Sequence, residues 1–261
     1  MTALPPQVLS GKSSASQAAV SRQEHVLPPA PARAALPWSL VVPVKLLALA
    51  KSRLATLAGP HRPALALAMA ADTVAAALAC DEVARVIAVT DDPQAAGVLA
   101  GLGAVVTQDE PRSGLNPALR HGAVLAAARW PGTGIGALAA DLPSLRPAEL
   151  AICLRAAARR PQAFVPDAAG SGTTLYTARP DASFSPRFGL GSARRHRAAG
   201  AAELALPGLV SLRRDVDAPA DLAEATGLGV GPRTAAIAAR LGERPVDPGR
   251  RAAGGRSAGT P

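Results

Sequence analysis

The run SLVVPV at residues 39–44, followed by KLLALAKSRLA up to residue 55, is typical of a strand that ends in a loop. The loop places three cations, Lys45, Lys51 and Arg53, within nine residues. In open α/β sheets ligands bind where the strands end at their carboxyl edge. This loop is therefore the first candidate for a binding site.

Six further apolar runs predict strands, and longer helical patterns lie between them. This alternation is typical of an α/β fold with a mixed, mostly parallel sheet flanked by helices. The runs are residues 85–90, 104–107, 136–140, 163–166, 173–177 and 209–212.

Two helices are predicted between the strands. Residues 62–80 carry an apolar stripe that would face the sheet, because its members have helical spacing: Leu67, Ala71, Val74 and Leu78. A second helix is predicted to begin at Asn116, a favoured N-cap followed by Pro117, and to end near Arg129.

The composition predicts one domain, residues 37–244, between two disordered tails. The chain has 261 residues, of which 49% are apolar, and this suffices for a sizeable core. Residues 1–36 are rich in Ser, Ala, Pro and Gln, and residues 245–261 in Gly, Arg and Pro, without a hydrophobic period.

The chain is expected to be cytoplasmic. No stretch approaches about 18 uninterrupted apolar residues, and the N-terminus lacks a charged start followed by an apolar core, so neither a membrane span nor a secretory signal is predicted. Cys80 and Cys153 are isolated from each other and suggest neither a disulfide framework nor a metal site.

The formal net charge of +9 suits a polyanionic ligand. Nucleic acid is one candidate, and a basic nucleic-acid-binding protein remains an alternative interpretation. With two Trp, one Tyr and three Phe, the chain offers little for the stacking platforms that single-strand binders use. Small phosphates are therefore the favoured anions.

The three cations of the first loop could gather around a triphosphate. Lys offers a point charge and Arg a two-pronged donor to phosphate oxygens, and both would offset the charge that grows on a departing pyrophosphate. A solvated basic loop explains the spacing equally well, because no GxGxxG or GxxxxGK[ST] pattern accompanies the cations.

Acidic residues follow two of the predicted strands. Asp141 comes directly after residues 136–140, and Asp215 and Asp217 follow residues 209–212. Mg²⁺ binds a few carboxylate oxygens together with substrate phosphates and waters, so these acids are its candidate ligands. The alternatives are an N-cap role for Asp217 and a plain loop position for Asp215.

A glycine-flanked segment precedes the run at residues 173–177. Backbone N–H groups between Gly170 and Thr173 could approach an anion closely. A turn between two strands is the simpler interpretation.

A second such segment contains Gly189 and Gly191. Ser192 then has the position of an N-cap, and the N-terminus of the helix it starts could bind a phosphate or carboxylate. His196 lies in that helix among three arginines, which disfavour its charged form. We therefore interpret it as a surface or hydrogen-bonding histidine and not as a general base.

Taken in order, these segments resemble the guanylyltransferase family of deazaflavin coenzyme (factor 420) biosynthesis, known as CofC in archaea and FbiD in actinobacteria. The resemblance extends over about residues 39–232. Its elements are PVKLLALAKSRLA, VTDD, GLN ending at Asn116, AADLP around Asp141, GSGTTL, PRFGLGSARRH and DVDAPADL. One departure is Ala218, where the family often has a threonine that starts a helix.

The resemblance implies a single-domain GT-A-like nucleotidyltransferase fold and transfer of GMP from GTP to a phosphorylated three-carbon acid, with Mg²⁺ as cofactor. Phosphoenolpyruvate, the acceptor of actinobacterial members, is favoured here, and 2-phospho-L-lactate and 3-phosphoglycerate are the alternatives. No general base is predicted, because a phosphate monoester carries about 1.5 to 2 negative charges at neutral pH and can attack directly. The product would pass to a downstream transferase.

The same resemblance implies roles for individual residues. The acid substrate would be held by Thr173, Gly189 and Ser192, and the metal by Asp141 with Asp215 or Asp217. The GTP phosphates would be bound by Lys45, Lys51 and Arg53, which with Asp141 form the catalytic set. Leu115 and Asn116 would lie near guanine.

Overall fold

The computed structural model describes residues 1–2, 36–110 and 112–242. The predicted tails fall almost wholly on residues 3–35 and 243–261, which lie outside the described range. Of the first 34 residues only Met1 and Thr2 are described, and the fold lies within residues 36–242. None of the helices in the described part combines the length and hydropathy that a membrane span needs.

Seven strands of the described chain form one sheet with the order β3-β2-β1-β4-β6-β5-β7. β6 is antiparallel to both of its neighbours, and all other neighbouring strands are parallel. The strands are β1 (Trp38–Pro43), β2 (Val83–Val89), β3 (Val105–Thr107), β4 (Gly134–Leu138), β5 (Gln162–Pro166), β6 (Thr173–Ala178) and β7 (Ala202–Glu203). The predicted α/β class with a mixed, mostly parallel sheet is confirmed.

Helices cover both faces of this sheet. Buried residues of α2, α3 and α5 pack on one face, and buried residues of α4 and α6 pack on the other. The helices are α1 (Ala55–Ala58), α2 (Arg62–Leu78), α3 (Pro93–Gly101), α4 (Leu115–Arg129), α5 (Pro147–Ala157), α6 (Ser192–Ala198), α7 (Pro219–Leu228) and α8 (Pro232–Gly242). The predicted helix over residues 62–80 is confirmed as α2.

The central strand β1 shows how its sequence produces these layers. Leu40 and Val42 belong to the core cluster on the α2 side, whereas Val41 belongs to the cluster on the α4 side. All three are fully buried, which stabilises the fold by roughly 1.5–3 kcal/mol for each side chain. A Cβ atom at Gly122 would lie 2.5 Å from Val41 Cγ1, so a glycine lets α4 lie directly on β1.

The prediction of a strand at residues 209–212 is wrong. The segment forms turns, and the last strand is Ala202–Glu203. The N–H groups of Ser211 and Leu212 donate to the buried carboxylate of Glu149, at 2.8 and 3.3 Å, and so are not available to a neighbouring strand. The apolar pattern arises because the two leucines of the segment are buried against the core.

Two predicted N-caps are also wrong. Gly114 is the N-cap of α4 and Gly191 that of α6, with φ values of 111° and 69°. Asn116 and Ser192 lie inside these helices, and their side chains bond to other elements.

Candidate active site

A cavity of about 450 Å³ opens at the edge of the sheet where β1 and β4 end. Because these two strands are parallel neighbours, the loops that follow them meet at this edge. The cavity wall includes six of the predicted site residues: Lys45, Lys51, Arg53, Leu115, Asp141 and Asp217. The other predicted residues, which do not form part of this wall, are Asn116, Thr173, Gly189, Ser192 and Asp215.

The ammonium group of Lys51 joins two of the predicted acids. Its Nζ contacts Asp141 Oδ2 and lies 2.8 Å from Asp217 Oδ1. Only 13% of the Lys51 side chain is exposed. Burial by itself would lower the pKa of Lys51, but the two carboxylates outweigh burial and raise that pKa. Carboxylates from two distant parts of the chain thus converge on one cation.

Asp217 is also close enough to the other two cations to be affected by them. Burial acts to raise the pKa of Asp217, but Lys51, Arg53 and Lys45 outweigh it, and the pKa is lowered. Lys45 and Arg53 are exposed, and neither forms an ion pair with another described residue. Their charges therefore remain available to an anion in the cavity.

Side chains from two helices hold the loop that carries these cations. Arg62, the first residue of α2, donates to two carbonyl oxygens of the loop, one of them that of Ala48 at 2.7 Å. Asp92 accepts from the N–H of Leu47 at 3.0 Å, and its other oxygen caps α3. Lys51 itself has a φ of 54°, a left-handed conformation that costs a non-glycine residue roughly 1–2 kcal/mol.

The segment that contains Asp215 and Asp217 lies beside the residues that follow β4. The N–H of Val216 donates to the carbonyl oxygen of Asp141 at 3.1 Å, and the Val216 side chain is fully buried. Burial, and after it the carboxylates of Asp141, Asp167 and Asp217, raise the pKa of Asp215 to about 7. Acidic side chains thus stand on both sides of Val216, and Asp215 binds a proton more readily than an ordinary carboxyl.

Within residues 36–110 and 112–242, no three His, Cys, Asp or Glu side chains are arranged to hold a metal ion. Asp141 and Asp217 nevertheless approach one common point, which the Lys51 ammonium occupies. The donor set that fits a cation is therefore this pair, and Asp215 stands next to it.

A second group of polar side chains lies where β6 begins. The N–H of Ala139 donates to the carbonyl oxygen of Thr174 at 2.8 Å, so the start of β6 lies beside the chain that runs from β4 to Asp141. Thr173 is buried, and its hydroxyl oxygen lies 3.0 Å from both Ser192 Oγ and His196 Nδ1. The structure therefore brings two of the residues predicted for the acid substrate into direct contact.

His196 is fully buried and forms hydrogen bonds through both ring nitrogens. This confirms the interpretation as a hydrogen-bonding histidine and excludes a surface position. Burial, followed by the charges of Arg195 and Arg187, lowers the pKa of His196 to about 4.

The loop that contains Gly189 is fixed by Asn116. Its side-chain amide donates to the carbonyl oxygen of Phe188 at 3.0 Å and accepts from the Phe188 N–H at 2.8 Å. Phe188 in turn forms part of the cavity wall. Gly189 has a φ of 116°, which favours glycine at that position.

The segment around Gly170 and Gly172 is a turn between β5 and β6, the simpler of the two interpretations. Asp167 accepts from the N–H groups of Ser171 and Gly172 at 2.9 and 2.8 Å, so these donors are already used. A Cβ atom at position 172 would lie 2.3 Å from Asp167 Oδ2.

The sequence interpretation did not single out Arg62 or Glu149, and it quoted Asp92 only within the VTDD motif without a role; all three support the site without entering it. Asp92 had a readable signal, because an Asp before Pro93 is a typical helix start. Arg62 and Glu149 act on backbone groups distant in the sequence, and no local pattern indicates such contacts.

Comparison with known proteins identifies the family of this chain. The family model of the CofC-like guanylyl transferases matches residues 38–242. The phosphoenolpyruvate guanylyltransferase of Thermomonospora curvata is 64% identical over 208 residues, which cover 80% of this chain and 91% of that protein. The phosphoenolpyruvate guanylyltransferase of Streptomyces coelicolor is 60% identical over 205 residues, covering 78% and 97%.

Among solved structures, a Desulfovibrio desulfuricans protein of the nucleotide-diphospho-sugar transferase type superimposes with a TM-score of 0.52. It is 16% identical, and the match covers 73% of this chain and 96% of that protein, so it bears on the fold alone. The family match, by contrast, extends over residues 38–242, a span in which all the predicted site positions lie. The chain therefore belongs to the CofC-like guanylyl transferase family.

Proposed function

We propose that the chain transfers GMP from GTP to phosphoenolpyruvate and releases pyrophosphate. The observation that carries the proposal is the pair Asp141 and Asp217, which converge on one cation at the wall of a cavity with exposed cations beside it. Such a site suits a reaction between two anions, since their charges must be offset before they can approach. The choice of phosphoenolpyruvate as acceptor follows the similar phosphoenolpyruvate guanylyltransferases of Thermomonospora curvata and Streptomyces coelicolor.

Lys45 and Arg53 are assigned to the GTP phosphates. Both line the cavity, and both are exposed without an ion-pair partner among the described residues. In the proposed reaction their charges would stabilise the departing pyrophosphate. Lys51 would join them once its carboxylate partners bind another cation.

Asp141 and Asp217 fit a divalent cation, because a Lys ammonium already occupies a point that both carboxylates share. We propose Mg²⁺, with Asp215 as the third candidate ligand. Bound there, Mg²⁺ would offset the charge of the phosphates that react. Asp215 has no side-chain partner among the described residues. Burial raises its pKa most, and the neighbouring carboxylates raise it further; a bound dication would offset the charge of those carboxylates.

Thr173, Gly189 and Ser192 are assigned to the phosphorylated acid. Their hydroxyl and backbone groups lie at the start of β6 and of α6, beside the edge that carries Asp141. The buried position of both hydroxyls favours a small ligand over a polymer.

Leu115 and Asn116 are assigned to the guanine side of the cavity. Leu115 is part of its wall, whereas Asn116 would act through the Phe188 backbone that it binds. No general base is needed, because the phosphate of the acceptor is already ionised at neutral pH. His196, with both nitrogens engaged, is not required to move a proton.

We further propose that the protein works in the cytoplasm, where GTP and phosphoenolpyruvate are made. Its diphosphate-linked product would pass to a downstream transferase.

The test is pyrophosphate release measured over a matrix of acceptors and nucleotides. We expect turnover only with GTP, phosphoenolpyruvate and Mg²⁺ together, and little with ATP. Faster turnover with 2-phospho-L-lactate or 3-phosphoglycerate would contradict phosphoenolpyruvate as the acceptor. Turnover in the presence of EDTA would contradict the requirement for a metal ion. Omission of the acceptor is the matched control for plain GTP hydrolysis.

A further inference from the structure

The two hydrogen bonds of the His196 ring determine where its proton lies. The backbone N–H of Arg187 donates to Nε2 at 2.8 Å. A backbone N–H can only donate, so Nε2 must accept and cannot itself carry a hydrogen. The neutral ring then carries its hydrogen on Nδ1, which lies 3.0 Å from Thr173 Oγ1 and donates to it.

This tautomer determines the direction of the hydrogen bonds in the group formed by His196, Thr173 and Ser192. Thr173 Oγ1 accepts from the imidazole, so its own hydrogen is not used by the ring. Ser192 Oγ lies 3.0 Å from Thr173 Oγ1, within hydrogen-bond distance. If Ser192 donates to Thr173, the Thr173 hydrogen is left over, and if Thr173 donates to Ser192, the Ser192 hydrogen is left over. Either way, one hydroxyl hydrogen of the pair remains for a ligand.

The surroundings of His196 keep the ring neutral and in place. Tyr176 stacks on it at 4.7 Å between ring centres, and Phe164 and Phe188 flank it at 5.6 and 5.5 Å. Arg187 and Arg195 are the charged groups that act on it, and with burial they oppose a second proton. In the opposite tautomer, the Thr173 and Ser192 hydroxyls could only accept a hydrogen bond from a ligand, and such acceptors repel an anion.

We propose that His196 is a positioning residue that acts through Thr173 and Ser192 to hold one hydroxyl hydrogen as a donor to the phosphorylated acid. The inference rests on the proposed function for the identity of that acid. The tautomer of His196, on which the inference is built, does not depend on the proposed function.

The competing role for His196 is merely to hold the loop at Arg187. Two variants separate the roles. In His196→Asn the side-chain amide lies near the former Nδ1 and can still donate to Thr173, but it does not reach the Arg187 N–H. In His196→Gln the longer side chain can accept from Arg187, but it no longer donates to Thr173.

The first experiment is NMR on the full-length wild-type protein at neutral pH. Long-range proton–nitrogen correlations distinguish protonated from unprotonated ring nitrogens, and loss of a signal in either variant assigns His196 among the four histidines of the chain. We expect a protonated Nδ1 and a bare Nε2. A protonated Nε2 would overturn the inference whatever the variants do.

The second experiment compares KM for phosphoenolpyruvate with KM for GTP, with melting temperatures as the folding control. We expect His196→Gln and Thr173→Val to raise KM for phosphoenolpyruvate roughly 10- to 100-fold and to leave KM for GTP nearly unchanged. His196→Asn should stay closer to wild type. Equal KM values in the Asn and Gln variants, or a lower one in Gln, would reject the positioning role.

The failure of the proposed function would look different. Wild-type protein that does not turn over GTP with phosphoenolpyruvate would reject the function while the tautomer was still observed. A wild-type enzyme with the opposite tautomer would reject only the inference.

Discussion

Lys51 is placed where a buried ammonium is stable only because two acids share it. With 13% of its side chain exposed, it would be destabilised by desolvation if it stood alone. Its left-handed backbone adds to the cost, which the contacts of Arg62 and Asp92 to the same loop help to offset. Such strain at one residue is common where a side chain must be held for chemistry.

The change Asp141→Asn tests this cation site at the level of one atom. The amide removes a charge from the pair that binds Lys51, so we expect kcat/KM to fall by more than about 100-fold, beyond the loss typical for supporting residues of metal sites. Pyrophosphate release at saturating Mg²⁺ measures it. Asp181→Asn, at an exposed acid paired with Arg179, is the control and should keep full activity.

His196 predicts how stability depends on pH. Its pKa is about 4 when folded and about 6.5 when unfolded, so between these values the unfolded chain binds more protons. Its contribution is fully present above pH 6.5 and is lost as the pH falls towards 4, by at most about 3 kcal/mol. The free energy of unfolding, measured with urea at several pH values in this range, should change less steeply with pH in His196→Asn than in wild type. Equal slopes would contradict the shifted pKa.

At the residue scale, the sequence could identify the acids and cations but not their partners. Lys45 and Asp141 come within three residues of the ends of β1 and β4, and Arg53 lies further along the loop after β1, so the topology brought all three to one edge. The use of Asn116 to bind Phe188, and of Ser192 to bind Thr173, depends on contacts across more than 15 residues. Local capping patterns therefore gave the wrong role for both side chains.

At the scale of elements, the segment 211–217 is positioned by hydrogen bonds and burial rather than by a strand. Glu149 holds its beginning through two N–H groups, and Val216 anchors its end through Asp141. An acid in α5 thereby sets the position of Asp215 and Asp217. The apolar pattern predicted a strand because alternation reports burial, and here a turn buries the leucines.

Substitution of Glu149 should separate this support from the chemistry. Glu149→Ala leaves two buried N–H groups unpaired and is expected to lower the free energy of unfolding by roughly 1–3 kcal/mol for each. Glu149→Gln keeps an acceptor oxygen and should cost clearly less. Urea denaturation measures both losses of stability. In the Ala variant only, turnover should also need a higher Mg²⁺ concentration to reach half of its maximum. Equal losses in the two variants would show that the negative charge matters more than the acceptor.

For the whole molecule, the sequence was sufficient to predict the architecture. Most of the apolar runs became strands within a few residues, because most of these strands are buried in the sheet, although β3 is only partly buried. The antiparallel orientation of β6 was beyond reach, since strand direction depends on how connections cross and not on a strand's own residues. The net charge of +9 suited a nucleic-acid-binding protein too, and the family match supports the enzyme instead.

A shortened chain of residues 36–242 tests whether catalysis belongs to the described domain. Every proposed site residue and the whole family match lie within these limits. We expect kcat/KM within about threefold of the full chain, and weaker salt-dependent adsorption to DNA because the removed ends carry part of the positive charge. A loss of more than tenfold in turnover would assign the ends a role in catalysis.

The reversed direction of β6 has a consequence for how this enzyme can diverge. Because β6 starts where β4 ends, the residues assigned to the acid come from one continuous stretch, Thr173 to Ser192, while most of those assigned to GTP precede Asp141. Apart from Phe188, which Asn116 binds and which lies in the cavity wall, the two substrates are thus handled by separate parts of the sequence. An exchange of that single stretch between relatives, with Phe188 kept, should transfer the preference for the acid and leave the choice of nucleotide intact.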